Sequence, residues 1–268
     1  MKDRQQYLDK ISICQGAIDI LTNWEAKSLA EMPQDAVGSA LTKIKLAQEM
    51  IDLTSYYIVM SEVSMSMLKT RNEAALTNGR KTVMKALSYM ENVVSPYLDT
   101  PVSDYQDKLD LIESVSASER YFLVRKMGLV IDLLEDAFGD NSRWKWAFID
   151  FKAQCAVIAK NFFDMKNAVS NMSLNSANYE STVYHLRLIK KLFPSIADYY
   201  REKYEIAGNI ASDLIRAIEF LSAIRRIHVI FGENEDAEII KKKVNIWQSR
   251  LDADIKAKEK AELNNSSR

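Results

Sequence analysis

Apolar residues recur along most of this 268-residue chain at alternating intervals of three and four positions. Side chains spaced in this way share one face of an α-helix, whereas the apolar residues of a half-buried strand alternate with polar ones. The most regular series begins in the stretch NSRWKWAFIDFKAQC, residues 141–155, and predicts one long helix with a continuous packing seam. The seam consists of Trp144, Phe148, Phe151, Cys155, Ile158, Phe162, Met165, Val169 and Met172.

Two other series predict helices of about 40 residues, which would each be about 60 Å long. One covers residues 36–78 and is expected to end at Gly79, because glycine tolerates the left-handed conformation that closes many helices. The other covers residues 196–231, after Pro194 has broken or kinked a shorter helix. Both series are too long for single compact bundles and suit proteins that hold other proteins or assemble with copies of themselves.

Polar residues mark where several helices should begin and end. Asp35 is a candidate N-cap for the second helix, and Ser116 with Glu119 has the spacing of a capping box. Ser103 with Gln106 repeats that spacing, and Asn141 or Ser142 should cap the helix that contains Trp144. Gly139 should end the helix before it. These signals predict short connections between consecutive helices.

The segment SPYLDTPVSDYQ, residues 95–106, holds two of the four prolines and is the best candidate for a boundary. We therefore expect an N-terminal helical sub-bundle over residues 1–100 and a C-terminal helical bundle over residues 101–264. The alternative is that the two form one continuous domain. Residues 265–268 are polar and are expected to form a frayed tail.

Composition agrees with a wholly helical chain, since only 7 glycines and 4 prolines interrupt long runs of good helix formers. Short connections make consecutive helices antiparallel neighbours, and uninterrupted stripes pack side by side at shallow angles. The predicted fold is all-α: an elongated multi-helix bundle of mostly antiparallel long helices with short connections.

Charge and hydropathy exclude several classes of partner. The formal net charge is −1, so the chain lacks the basic excess of a nucleic-acid-binding protein. No apolar run approaches the roughly 20 residues of a membrane span. The last helix carries three consecutive lysines, but four acidic residues interrupt its basic face and argue against peripheral membrane contact. These acidic residues are Asp252, Asp254, Glu259 and Glu262.

The two cysteines, Cys14 and Cys155, are far apart and have no metal-type spacing. We expect two reduced core thiols and a cytoplasmic protein. The two histidines, His185 and His228, lie in no metal-binding motif, and His228 on its apolar stripe is more often a core residue. No phosphate loop, nucleophile elbow or redox motif is present, so we expect no cofactor.

One acidic stretch offers possible chemistry. Asp132, Glu135 and Asp136 in DLLEDAFGD share one helical face, where carboxylates can bind Mg²⁺. The motif resembles the aspartate-rich helix of all-α isoprenoid synthases, with Glu135 in place of one aspartate. That resemblance implies a Mg²⁺-dependent enzyme acting on a diphosphate substrate. The simpler alternative is a solvated acidic face.

The favoured hypothesis is a non-enzymatic helical interaction protein: a scaffold, an adaptor or a structural subunit that binds a protein partner or its own copies. Trp146 and Phe163 lie off the packing seam of their helix, so they could face a second buried layer or a partner. Trp247 on the terminal helix is a further interface candidate. The alternative hypothesis is the Mg²⁺ enzyme described above.

Overall fold

The computed structural model describes residues 2–99, 102–139 and 142–266, with side chains described at 4–99, 106–139 and 142–260. These residues form ten α-helices and no strand, which confirms the predicted all-α multi-helix bundle. None of the helices in this described part is long and apolar enough to cross a membrane. The helices are α1 (Lys2–Ala30), α2 (Ala36–Leu68), α3 (Glu73–Val93), α4 (Val102–Asp110), α5 (Ala117–Phe138), α6 (Lys145–Asn161), α7 (Ala168–Asn171), α8 (Tyr179–Ile206), α9 (Ala211–Ile230) and α10 (Asn234–Ser266).

The chain divides into two compact units, residues 1–186 and residues 187–268. The division falls within α8, whereas the sequence predicted a boundary near residue 100. Helix α3 precedes residue 100 and packs against α5 and α6, which follow it. Segments on both sides of the expected boundary therefore contribute to one core.

Helices α2, α3, α5 and α6 supply most of the core of the first unit. Their apolar stripes face one another, as the three-and-four spacing predicts. Helix α1 packs antiparallel on α2, with the Tyr7 hydroxyl 3.1 Å from Ser64 Oγ. The fully buried side chains include Leu46, Met50, Leu76, Leu87, Met90, Ile131, Leu134, Phe148 and Ile158.

The second unit consists of residues 187–206 of α8 together with α9 and α10. Phe193 of α8 meets Phe220 of α9 edge to face, with ring centroids 5.3 Å apart. Helix α10 adds the buried side chains of Trp247 and Leu251. Aromatic and aliphatic side chains from three helices thus form a separate core.

The predicted single helix over residues 36–78 is wrong. Helix α2 ends at Leu68 because Lys69 adopts a left-handed conformation, with φ of 57°. Asn72 then caps α3, its side-chain oxygen accepting a hydrogen bond from the Ala75 amide at 3.0 Å. Gly79, expected to end the helix, lies inside α3 instead. Because glycine has no Cβ, Leu134 can pack close to the α3 backbone here: an added Cβ would lie 3.1 Å from Leu134 Cδ1.

The long helix predicted from Trp144 to Met172 is also shorter than expected. Helix α6 ends at Asn161, and the four-residue helix α7 follows after a turn. The Asp164 carboxylate accepts hydrogen bonds from the Asn167 backbone amide at 3.1 Å and its side-chain amide at 2.9 Å. Such side-chain bonds compete with helical ones. Beyond this turn the seam fails, because Val169 is 76% exposed.

Pro194 neither begins a new helix nor ends one, because α8 continues through it to Ile206. A proline inside a helix removes one backbone hydrogen bond and costs about 3 kcal/mol. The neighbouring residues Phe193 and Ile196 are completely buried, so packing can offset that cost. The predicted helix over 196–231 is instead interrupted at Gly208 and Asn209, both with positive φ.

Three other predicted helix ends agree with the structure, but Ser142 does not cap α6, because the N-cap residue is Trp144 and no side chain caps the helix there. Asp35 caps α2 through a 2.6 Å bond from the Gly38 amide, and Ser116 and Glu119 form the expected capping box. Gly139 ends α5 with φ of 79°. Asn141 and the side chain of Ser103 lie outside the described residues, as does the end of the predicted tail at 267–268.

Candidate functional site

The acidic motif on α5 is engaged by a lysine from α6. Lys152 Nζ lies 2.9 Å from Asp132 Oδ1 and 2.5 Å from Glu135 Oε2. Burial alone would lower the pKa of Lys152, but its hydrogen bonds to Glu135 and Asp132 outweigh burial and raise the pKa to about 12. Asp136 lines an open cavity of about 390 Å³ beside Arg71. A Mg²⁺ ion at the motif would have to displace the Lys152 ammonium.

Trp146 and Phe163, predicted to share an interface, lie in different environments. Trp146 is half-buried, with the Lys145 ammonium 5.1 Å from its ring centroid, and an interface role for it stays a prediction. Phe163 is only 2% exposed and packs edge to face on His185, with ring centroids 5.2 Å apart. The interface role expected for Phe163 is therefore corrected: because α6 ends at Asn161, the turn directs Phe163 into the core.

Trp247 lines a groove of about 550 Å³ in the second unit. The tryptophan is only 6% exposed, with Lys243 and Arg201 placed against its ring. The groove is bordered by Ile246, which is 67% exposed. A partner could reach this groove through its rim, and an interface role for Trp247 stays a prediction.

The turn between α9 and α10 gathers groups that sequence reasoning missed. His228, Glu233 and Asp236 are the one group of three potential metal ligands found among the described residues. His228 Nδ1 lies 2.6 Å from Glu233 Oε2, and the Lys190 ammonium binds both oxygens of the same carboxylate at 2.5 Å. Lysine already supplies the positive charge there. In the sequence, the available signal for this cluster was the close spacing of the three residues on either side of Gly232.

The outer side of α5 carries large apolar residues that the core does not use. Phe122 is 55% exposed, Leu129 56% and Leu133 42%. The α5 face is defined here as Phe122, Arg125, Lys126, Leu129, Asp132, Leu133 and Asp136, all exposed. At 100° per residue these seven side chains fall within an arc of about 120°, opposite the core residues of α5. The signal was present in the sequence as a second apolar stripe.

The charges of the α5 face are arranged unequally along the helix. Arg125 and Lys126 lie in its N-terminal half, whereas Asp132 and Asp136 lie in its C-terminal half. Helical geometry places Arg125, Asp132 and Asp136 along one edge of the face, within about 40° of one another. Lys126 lies on the other edge, where its ammonium pairs with Asp52 of α2.

Helix α2 extends the apolar surface beyond that second edge. Lys126 of α5 pairs with Asp52 near the middle of α2, and Asp136 lines a cavity together with Glu62, further along α2. The two helices therefore run parallel here. Tyr56 and Val59, 36% and 41% exposed, lie on α2 between these two points. Large apolar side chains are therefore exposed on two adjacent helices here.

The family relationship covers almost the whole chain. The sequence model of the TP0443 family matches residues 3–255. The chain belongs to the TP0443 family. The matched part of this TP0443-family chain includes the α5 face and most of both compact units. Searches of curated proteins and of solved structures each found no match.

Proposed function

We propose that this chain is a non-enzymatic helical interaction protein that pairs with a second copy of itself through the α5 face. The observation that carries the proposal is the exposed apolar stripe of Phe122, Leu129 and Leu133, bordered by an edge of opposite charges. Large exposed apolar patches with polar rims are typical of protein interfaces.

Charge favours a second copy as the occupant and favours one orientation. In an antiparallel pair with a two-fold axis near Leu129, the same edge of each helix faces its counterpart. Arg125 of one copy then lies opposite Asp132 and Asp136 of the other, and symmetry repeats this contact. A parallel pair would instead place Arg125 opposite Lys126, which is repulsive. The pattern of the α5 face is therefore self-complementary in the antiparallel orientation alone.

The expected affinity is modest. One helix pair, extended by Tyr56 and Val59 of α2, falls near the lower limit of stable interfaces, about 1,000 Å² of buried surface. We expect a weak, transient contact with a dissociation constant on the order of 1–100 µM. Sedimentation velocity over this concentration range should show a monomer–dimer equilibrium.

A charge-reversal pair tests the orientation. Arg125→Glu and Asp136→Lys should each weaken self-association, because each turns two symmetric attractions into repulsions. Mixed in equal amounts, the two variants should form a heterodimer, since the attractive contacts are then restored. Lys81→Glu, an exposed charge reversal on α3, is the matched control and should leave the wild-type equilibrium unchanged.

The proposal fails if the wild-type chain stays monomeric at about 100 µM, or if the mixture of variants does not associate more strongly than either alone. Leu129→Ser provides an independent check on the apolar stripe, with Ile20→Ser on α1, 70% exposed, as its control. Circular dichroism on every variant separates loss of association from loss of fold.

We further propose a reducing compartment, the cytoplasm, as the location of the chain. Cys14 and Cys155 are both free and buried thiols. Burial raises the pKa of Cys155 to about 12, so this thiol resists the deprotonation that disulfide exchange requires. Mass spectrometry of the protein isolated from its own cells with alkylation should find both cysteines unpaired.

A further inference from the structure

A polar cavity of about 250 Å³ opens beside the N-terminal end of α5, in the first unit. A smaller cavity of about 10 Å³ adjoins it, because Ala117, Arg120, Asp164 and Asn171 line both. The wall of the inner cavity is completed by Phe163, Thr182 and His185. The arrangement is a polar vestibule with a small recess at its inner end.

Arg120 is the fixed cation of this site. It is 4% exposed, and its guanidinium donates to the carbonyl oxygens of Ile112, Val115 and Phe162 at 2.8, 3.0 and 3.4 Å. A guanidinium has five N–H groups, so these three bonds leave two more donors. The carbonyl bonds hold the guanidinium rigidly at the point where the two cavities join.

Thr182 is a buried polar residue in the wall of the recess. Its side chain is 3% exposed, and its hydroxyl has no hydrogen-bond partner. The hydroxyl of a helical threonine commonly donates to the carbonyl oxygen four residues earlier. Here the Asn178 carbonyl accepts the Thr182 backbone amide but not the hydroxyl, which remains unpaired. Leaving a buried hydroxyl unpaired costs more than a typical hydrogen bond contributes, because its hydrogen bonds to water are lost and not replaced. Thr182 lines the recess, and a polar ligand atom placed there would give its hydroxyl a partner.

The charged groups of the wall are mixed. Arg120 and Lys166 are basic, whereas Asp110, Glu113 and Asp164 are acidic. A small anion would meet three carboxylates, and a small cation would meet Arg120. A ligand that carries both charges can satisfy both sets of groups.

We propose that this cavity binds a small zwitterion of the free α-amino acid class. One oxygen of its carboxylate enters the recess between the Arg120 guanidinium and the Thr182 hydroxyl, and its ammonium lies in the larger cavity toward Asp110 and Glu113. Since one water occupies about 30 Å³ in the liquid, a volume of about 250 Å³ accommodates on the order of eight non-hydrogen atoms. That size suits serine, threonine or aspartate.

Calorimetric titration of the full chain with L-serine, L-threonine and L-aspartate tests the proposal, with acetate and methylamine as probes of each half of the ligand. We expect at least one amino acid to bind and to raise the melting temperature, and both half-ligands to bind at least tenfold more weakly. Thr182→Val removes only the hydroxyl and should weaken binding about tenfold. Asp110→Asn, which neutralises a carboxylate in the wall of the vestibule, should weaken it similarly.

Asp252→Asn, a matched change at an exposed site on α10, should leave the affinity unchanged. Arg120 is not substituted because its carbonyl bonds hold the fold together. The proposal is overturned if none of the three amino acids binds, whatever the stability of Thr182→Val; a less stable Thr182→Val variant would then indicate that the recess holds a water molecule. Binding that is unchanged in both variants overturns it as well.

Discussion

Gly79 lies inside α3, where the helix faces α2 and α5. An added Cβ there would lie 3.1 Å from Leu134 Cδ1 and 3.4 Å from Tyr57 Cβ. Leu134 is completely buried, so its side chain can move away only by displacing its own neighbours. The sequence presented this glycine as a helix end, and only its neighbours from other helices show that it is a packing contact.

Gly79→Ala should therefore destabilise the chain by about 1–2 kcal/mol, because overpacking outweighs the gain in helix propensity of about 1 kcal/mol. Gly16→Ala is the matched control: Gly16 lies inside α1, and an added Cβ meets no atom within 4 Å. That change should stabilise the chain by about 0.5–1 kcal/mol. Urea unfolding measures both, and a stabilised Gly79→Ala variant would show that Leu134 can relax.

His185 gives the first unit a pH dependence. Burial lowers the pKa of His185 to about 4, whereas a histidine in the unfolded chain has a pKa near 6.5. Between these values the unfolded state binds more protons, so the free energy of unfolding falls as the pH drops from about 6.5 to about 4. Above pH 6.5, His185 does not make the free energy of unfolding depend on pH.

His185→Gln replaces the imidazole with an uncharged amide that can donate to the Ala159 carbonyl, which lies 2.9 Å from Nε2 of His185 in the wild type. The wild type should lose on the order of 3 kcal/mol more than this variant between pH 7 and pH 4. Chemical denaturation at several pH values measures the difference. Parallel curves for the two proteins would mean that His185 is charged in the fold or is hydrated.

At the scale of single helices, periodicity located the apolar faces correctly but joined neighbouring helices across short breaks. The breaks after Leu68 and after Ile206 carry residues with positive φ, Lys69 and Asn209, rather than a glycine alone. A lysine in the sequence gives no signal for a left-handed conformation. The apolar stripe also continues across each break, because both helices pack into the same core.

Replacement of Lys69 by glycine should stabilise the chain by about 0.5–1 kcal/mol, because glycine adopts the left-handed conformation without strain. Lys81→Gly, in the exposed interior of α3, is the control and should destabilise it by about 1 kcal/mol. Thermal unfolding of the two variants distinguishes the sites. Equal destabilisation by both glycines would contradict a left-handed residue at position 69.

At the scale of the whole molecule, two compact units contribute different surfaces. The first unit presents the α5 face and the polar cavity, and the second presents the groove beside Trp247 and the His228 turn. Self-association through the α5 face would combine apolar burial with the contact between Arg125 and the aspartates of the other copy. Salt screens the charge contacts, whereas it does not screen the burial of apolar surface.

Raising the NaCl concentration from about 0.05 M to about 0.5 M should weaken the dimer several-fold, because salt screens exposed charge pairs. The Arg125→Glu and Asp136→Lys variants, alone, should show the reverse trend, since their contacts are repulsive. Sedimentation velocity at both concentrations measures these changes. A wild-type dimer that strengthens with salt would indicate an interface without the proposed charge contacts.

The sequence by itself determined the helical class, the apolar face of each helix and the ends marked by Asp35, Ser116 and Gly139. These features depend on local spacing and on local hydrogen bonds, which the order of residues contains. Which of two apolar stripes on a helix is buried was decided only by the tertiary structure. On α5, Leu134 is buried and Leu129 is exposed because neighbouring helices cover one side of the helix and leave the other open, whereas Phe163 is buried because α6 ends before it.

The same reason applies to the candidate sites. Lys152 reaches the acidic motif from α6, and Thr182 reaches the recess beside Arg120 from α8. Residues that are distant in sequence met there, and no local pattern could predict the meeting. Which charges pair, and which buried hydroxyl lacks a hydrogen-bond partner, depends on how the helices pack. Only the folded structure identifies these groups.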